Sequence, residues 1–374
     1  MTDGEPPRRL LRRSMSRTAA PPLLNGDPEG FEGVRLSLGE AQEALVRAAD
    51  RIAAPRSIFA REPLNILALS GGAAGGAFGA GVLAGLTKAG KRPNFAIVTG
   101  VSTGALMAPL AFLGPAWDDR LADAYTGGHA ARLLALRRFV PGAGPGLIRG
   151  EALDALIGAF IDDELIAGVA AAHAQGRRLF VATTDLDRQR AAIWDMGAIA
   201  SRALTGDGER ALHLFREVLA ASASLPGLFP PRLIPCVSEE GVYDEMHVDG
   251  GVAAPLFVLP DALLRWKQVG RRLRGGRVYL IVNTILEPGS RITSGNVPAI
   301  LIRSFDTMLR FSYRQALSLT ATFCAGAGLP LEIASITPAP HHGSMMNFDT
   351  KSMKRMFDAA FEEAAAGKAW TRYA

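Results

Sequence analysis

The chain has few of the residues that mark several common protein classes. Only two of its 374 residues are cysteine, so it has neither a disulfide framework nor a cysteine-rich zinc site. This low cysteine content is compatible with a reducing compartment, and we expect a cytoplasmic protein. Histidine is also scarce, at six residues, and no two histidines stand at a metal-ligand spacing. The sequence therefore predicts no metal site.

Charge is moderate and well mixed. The 41 basic and 36 acidic residues leave a net charge of +5, and no basic run is interleaved with aromatic residues. A nucleic-acid partner is therefore not expected. Peripheral contact with an anionic membrane surface is compatible with the basic excess. The 48% of apolar residues excludes wholesale disorder.

Two segments, 66–87 and 93–117, carry no charge and are long enough to cross a bilayer, which takes about 20 apolar residues. The first contains seven glycines, including two adjacent pairs, which favours a sharply turning loop over a membrane helix. We therefore predict buried strand-turn-helix units rather than transmembrane helices. No signal peptide is expected either, because no apolar stretch follows Arg8-Arg9 before Pro21-Pro22.

A candidate nucleophile stands in the second of these units. The apolar run 95–98 predicts a strand, and the stretch from Ala105 predicts a helix. Between them lies Gly100-Val101-Ser102-Thr103-Gly104, which matches the G-x-S-x-G nucleophile elbow. Such a turn holds the serine in strained backbone and exposes its hydroxyl, while the two flanking glycines avoid clashes. A structural serine in a glycine-rich turn would give the same pattern.

The first unit offers hydrogen-bond donors for an oxyanion. A predicted strand over 64–69 is followed by Gly71, Gly72, Ala73 and Ala74 and then by a helix. Backbone N–H groups in such a loop can point at the charge that develops on an ester carbonyl oxygen. A phosphate-binding P-loop is excluded because its lysine is missing. A dinucleotide site is not favoured, because no acidic residue follows at the required spacing.

A third element is Asp249, which ends an alternating segment and precedes Gly250 and Gly251. An Asp-Gly pair is common in plain turns, so the pattern alone leaves both a turn and a catalytic acid open.

Together these motifs resemble the patatin-like phospholipases. The resemblance runs from about residue 64 to 260 and rests on segments that occur in the order of that family: Leu69-Ser70-Gly71-Gly72, Gly100-Val101-Ser102-Thr103-Gly104, Leu225-Pro226-Gly227-Leu228-Phe229 and Asp249-Gly250-Gly251. It implies a three-layer α/β/α fold with a central, mostly parallel sheet. It also implies hydrolysis of lipid acyl esters without a cofactor.

The resemblance also assigns roles. Ser102 would be the nucleophile of a Ser-Asp dyad and Asp249 its base. The loop at Gly71, Gly72, Ala73 and Ala74 would form the oxyanion hole. Gly100 and Gly104 would flank the elbow, and Gly250 and Gly251 would follow the acid. The loop at 225–231 would lie near the acyl pocket.

The glycine loop departs from the family pattern, which reads G-G-G-x-[RK]-G. Ala73 stands at the third glycine and Gly75 at the basic residue. If the third position requires a positive φ, Ala73 is strained by about 1 kcal/mol or more. The backbone N–H donors survive both changes.

Two alternatives remain open at this point. His341 or His342 would complete the Ser-His-Asp triad of an ordinary α/β-hydrolase, and the altered loop is compatible with a non-catalytic lipid-binding relative. A carboxylate base would also lack the pH inflection near ~6.5 that a histidine base produces.

Four segments are predicted along the chain. They are a basic flexible arm (1–35), a helix with a capping box at Ser37 and Glu40 and a linker (36–62), the catalytic domain (63–262), and a C-terminal part packed on the same core (263–374).

Overall fold

A computed structural model describes residues 26–36, 64–135, 150–239, 241–256, 276–287, 290, 292–337 and 347–373. The basic arm before residue 26, the predicted capping box and both His341 and His342 lie outside the described residues.

A ten-stranded sheet forms the centre of the fold. Its strands are β1 (Arg35–Leu36), β2 (Asn65–Leu69), β3 (Ile97–Val101), β4 (Arg178–Asp185), β5 (Arg190–Asp195), β6 (Arg232–Ser238), β7 (Gly241–Asp249), β8 (Arg277–Val282), β9 (Leu331–Ser335) and β10 (Thr371–Tyr373). Across the sheet the order is β1-β5-β4-β3-β2-β8-β9-β10, and β7 pairs with both β4 and β6. The five central strands, from β4 to β9, run parallel, and antiparallel pairs flank them.

Ten α-helices lie in the described part of the chain. They are α1 (Gly76–Lys88), α2 (Thr103–Leu113), α3 (Asp118–Thr126), α4 (His129–Ala135), α5 (Gly150–Phe160), α6 (Asp163–Ala174), α7 (Met196–Arg202), α8 (Gly208–Ser222), α9 (Val297–Ala327) and α10 (Thr350–Ala365). The predicted strand-turn-helix units are therefore present as β2 with α1 and as β3 with α2.

The sheet has an apolar cluster on each face. Along β2, Leu67 and Leu69 belong to one cluster, whereas Ile66 and Ala68 belong to the other, as the alternation of side chains in a strand requires. The first cluster packs against α1, α2 and α10, and the second against α9. Helices on both sides of a mostly parallel sheet make the three-layer α/β/α fold that the sequence predicts.

Glycines let α1 pack closely against α10. A Cβ atom on Gly81 would lie 2.3 Å from the carbonyl oxygen of Phe357, and one on Gly85 would lie 2.3 Å from that of Phe361. Gly81 and Gly85 thus serve helix packing, within the helix that the sequence predicts after the glycine loop. Within the described ranges, no helix has the length and hydropathy needed to span a membrane.

Candidate active site

The predicted elbow is formed where β3 meets α2. Ser102 stands between them with φ 56° and ψ −126°, a backbone conformation that few residues other than glycine adopt. A Cβ atom on Gly100 would lie 2.5 Å from the carbonyl oxygen of Gly104, and one on Gly104 would lie 2.3 Å from that of Leu69. Both flanking positions therefore require glycine because backbone passes directly against them.

Asp249 lies directly beside this serine. It ends β7, which pairs with β4, and its Oδ2 accepts a hydrogen bond of 2.6 Å from the Ser102 hydroxyl. Its Oδ1 accepts the N–H of Gly251 at 2.7 Å, so both carboxylate oxygens are engaged. Gly250 fits only without a side chain, because a Cβ atom there would lie 2.2 Å from the carbonyl oxygen of Ala182.

Burial raises the pKa of Asp249 to about 6, against the opposing effect of the hydrogen bonds from Ser102 and the Gly251 N–H. A base of this strength is suited to work near neutral pH. The value also corrects one expectation. A carboxylate with a pKa of about 6 titrates where a histidine does, so a pH inflection near ~6.5 does not separate a dyad from a triad.

The glycine loop runs alongside the serine. A Cβ atom on Gly71 would lie 3.1 Å from Cβ of Ser102, and one on Gly72 would lie 1.8 Å from the carbonyl oxygen of Asn283. Ala73 has φ 50°, so the third position does require the left-handed backbone that the family pattern fills with glycine. Among the described residues, no acceptor is found for the N–H groups of Gly72 and Ala73, which open the short helix Ala73–Gly75.

The sequence reasoning assigned no role to two residues that support the site. The side-chain amide of Asn283 donates to the Ser70 carbonyl at 2.9 Å, and the backbone N–H of Asn283 donates to Oγ of Ser70. These two hydrogen bonds hold the glycine loop against the end of β8. The Ser222 hydroxyl accepts the Ser102 N–H at 3.0 Å and donates to the Ala182 carbonyl. A polar residue just after an apolar strand was an available signal for Asn283.

The hydrogen-bond partners of His247 are not the dyad residues, although it stands two residues before Asp249. Its Nδ1 lies 3.0 Å from Oγ1 of Thr183, and its Nε2 lies 3.2 Å from Oε2 of Glu245. Burial would raise the pKa of Glu245, but the hydrogen bond from His247 and the charges of two arginines hold it at about 2. This buried hydrogen-bond network links β7 to Thr183 on β4. In the described part of the chain, no group of three or more potential ligands is arranged for a metal ion.

An apolar cavity of about 80 Å³ opens at Ser102. Leu225, Leu228 and Phe229, from the loop at 225–231, line this cavity. A second cavity of about 80 Å³ shares Leu106 and Leu156 with the first. The linings of both are predominantly apolar. A larger cavity of about 540 Å³ lies elsewhere, against Phe31 and Arg210, and contains neither Ser102 nor Asp249.

The match to a protein-family model agrees with the sequence motifs. The family model described as "Patatin-like phospholipase" matches residues 67–261, about half of the chain. No curated protein sequence matches the chain. Among solved structures, VipD from Legionella pneumophila is similar at 12% identity and a TM-score of 0.38, over 80% of this chain and 68% of VipD. Human GIVD cytosolic phospholipase A2 is similar at 10% identity and a TM-score of 0.39, over 91% of this chain and 64% of that protein.

Proposed function

Because the chain belongs to the patatin-like phospholipase family, we propose that it is a serine lipid acyl hydrolase of the phospholipase A or lysophospholipase type, with Ser102 and Asp249 as its dyad. The observation that carries this proposal is the direct 2.6 Å hydrogen bond from the Ser102 hydroxyl to the buried carboxylate of Asp249. With this contact, proton transfer needs no histidine between the two residues. Residues 63–262 are proposed as the catalytic domain, with 263–374 completing its core.

The reaction follows from this contact. Oγ of Ser102 attacks the ester carbonyl carbon while its proton passes to Oδ2 of Asp249. The bond to the leaving oxygen then breaks, and the proton from Asp249 goes to the departing alcohol. Water attacks the acyl-enzyme, gives its proton to Asp249 and releases the fatty acid. Ser102 regains its proton from Asp249, and no cofactor takes part.

The glycine loop is proposed as the oxyanion hole. The N–H groups of Gly72, Ala73 and Ala74 precede the first turn of α1, so the helix dipole adds to their field. Donors of this kind are worth about 3–4 kcal/mol each in known hydrolases. Because they belong to the backbone, they remain available with alanine at position 73 and glycine at position 75.

A panel of lipid esters, run on the wild type beside Ser102→Ala, tests the activity. We expect release of fatty acid by the wild type and loss of at least about 10³-fold in the variant. Release that is equal in both would exclude Ser102 as the nucleophile. A wild type that binds vesicles of these lipids but neither cleaves them nor reacts with a fluorophosphonate would support the non-catalytic alternative.

We also propose peripheral contact with an anionic membrane surface, made by one side of α9. At ~100° per residue, the exposed apolar residues of this helix share one side. They are Val297, Ile300, Leu301, Met308, Phe311 and Leu319. The guanidinium of Arg314 lies over the ring of Phe311 in this stripe, whereas Arg303 and Arg310 both pair with Asp306. An apolar stripe with neighbouring cations fits an anionic lipid surface, where the substrate would be found.

Sedimentation with phosphatidylglycerol vesicles tests this surface. Replacing both Met308 and Phe311 by serine should weaken binding at least about tenfold, because each burial is worth about 1.5–3 kcal/mol. The matched control is Leu204→Ser, which removes an exposed leucine from another part of the fold. Unchanged binding by the double variant would exclude this surface. A self-association that the double variant abolishes, with no effect on vesicle binding, would assign the stripe to a second copy of the chain.

A further inference from the structure

Tyr313 reaches the dyad from a part of the chain that no catalytic motif covers. It lies on α9, beyond the segment that matches the family model, and is only 6% exposed. A Cβ atom on Gly71 would lie 2.6 Å from the Tyr313 hydroxyl oxygen and 3.7 Å from Oγ of Ser102. One on Gly251 would lie 3.9 Å from that hydroxyl and 3.0 Å from Oδ1 of Asp249. The hydroxyl therefore stands between the glycine loop and the acid.

None of the described residues forms a hydrogen bond with this hydroxyl, which lies beside Gly71 and Gly251. Two other buried tyrosines use their hydroxyls within the protein. The hydroxyl of Tyr125 donates to the Thr103 carbonyl at 2.8 Å, and that of Tyr243 donates to Oε1 of Glu245 at 3.2 Å. A group that is left unpaired at the catalytic serine is available to a substrate.

The Tyr313 hydroxyl also remains a donor under working conditions. Burial and the nearby charge of Asp249 both raise its pKa, so the phenol keeps its proton. Within the described residues, Asp249 accepts hydrogen bonds from Ser102 and the Gly251 N–H and none from Tyr313. The glycine loop itself contributes only backbone N–H donors.

We propose that Tyr313 is a further catalytic residue, whose hydroxyl donates a hydrogen bond to the substrate ester as negative charge develops on it. The proposal rests on the hydrolase activity proposed above. Charge appears first on the carbonyl oxygen, when Ser102 adds, and then on the leaving oxygen, when the ester bond breaks. The hydroxyl lies near both positions, because Gly71 neighbours the serine and Gly251 neighbours the acid.

Tyr313→Phe tests this role, since it removes the hydroxyl and keeps the ring in the core. We expect kcat to fall roughly 10- to 100-fold with little change in KM, because the bond strengthens only in the transition state. The matched control is Tyr279→Phe, a buried tyrosine on β8 that packs against Phe95 and Trp370 and should keep wild-type kcat. Rates are divided by the concentration of active serine, titrated with a fluorophosphonate. Unfolded protein in a preparation therefore does not lower the measured kcat.

Two substrates show which oxygen of the ester accepts the hydrogen bond from Tyr313. An equal loss of kcat on a p-nitrophenyl ester and on an alkyl ester of the same acid would place the donor on the carbonyl oxygen. A loss confined to the alkyl ester, whose leaving oxygen carries more charge, would place it on that oxygen. Either result supports the proposal. Wild-type kcat per titrated serine in Tyr313→Phe on both substrates would overturn it, whereas an inactive and unlabelled wild type would overturn the hydrolase activity itself.

Discussion

The hydroxyl of Ser102 lies 2.6 Å from Oδ2 of Asp249, although 147 positions separate the two residues in the chain. Strand β4 brings them together, because it pairs with β3, which the serine follows, and with β7, which the acid ends. The contact is short enough for direct proton transfer. Its predicted consequences concern pH, stability and substrate.

The activity should depend on pH through Asp249. The acid must be ionised to accept the serine proton, so kcat/KM should rise with pH, with a midpoint at about 6, and then level off. A pH series with a lipid ester measures this midpoint. A midpoint close to the ordinary aspartate value of ~3.9 would contradict the burial argument. A midpoint that shifts strongly on warming would indicate an imidazole, because carboxylate ionisation is nearly independent of temperature.

The same burial should cost stability. The folded protein holds the Asp249 proton up to a pH of about 6, whereas the unfolded chain releases it above the ordinary value of 3.8. Stability therefore falls as pH rises through this window, and the full cost, on the order of 3 kcal/mol, is present above it. Asp249→Asn should unfold at a higher urea concentration than the wild type at neutral pH, with little difference below the window. A variant that is less stable at neutral pH would contradict this account.

Ala73 should be a strained position. Its φ of 50° costs about 1 kcal/mol or more relative to glycine, partly offset by the extra freedom of glycine in the unfolded chain. Ala73→Gly should therefore raise the free energy of unfolding by up to about 1 kcal/mol and keep the activity. The control is Ala74→Gly, in the same short helix, which should lose about 0.5–1 kcal/mol because its φ is not positive. Equal losses in both variants would show that position 73 is unstrained.

The motif residues were predictable from the sequence because glycine marks close backbone contacts. At Gly100, Gly104 and Gly250, a Cβ atom would lie within 2.5 Å of a backbone carbonyl oxygen, so no other residue fits there. The strands β2 and β3 were predictable because both are short, apolar and fully buried. Asp185, which ends β4, accepts the N–H groups of Asp187 and Arg188 in a turn.

Long-range packing explains what the sequence did not show. Tyr313 comes from a helix on the second face of the sheet, and nothing in its local pattern indicates a contact with Gly71. The pKa of Asp249 depends on burial by distant elements, so the sequence predicted the acid but not its strength. Helix α1 likewise needs glycine at positions 81 and 85 only because α10 packs against it.

The two apolar cavities near Ser102 should set the acyl chain length. Leu156 lines both of them, so Leu156→Trp would fill space in each. We expect kcat/KM for long-chain esters to fall about tenfold or more while short-chain esters are hydrolysed as before. Leu204→Trp, at an exposed position outside both cavities, is the control. A loss that is the same for all chain lengths would show that these cavities do not hold the acyl chain.

The most direct test asks which residue accepts the proton of Ser102. The measurement is lipid ester hydrolysis by Asp249→Asn beside His341→Gln, His342→Gln and His247→Gln, each shown to be folded. We predict that Asp249→Asn loses activity by about 10³-fold or more, while each histidine variant keeps most of it, because the serine donates its proton directly to Asp249. Continued turnover by Asp249→Asn, with loss of activity in a folded His341→Gln or His342→Gln variant, would contradict the dyad.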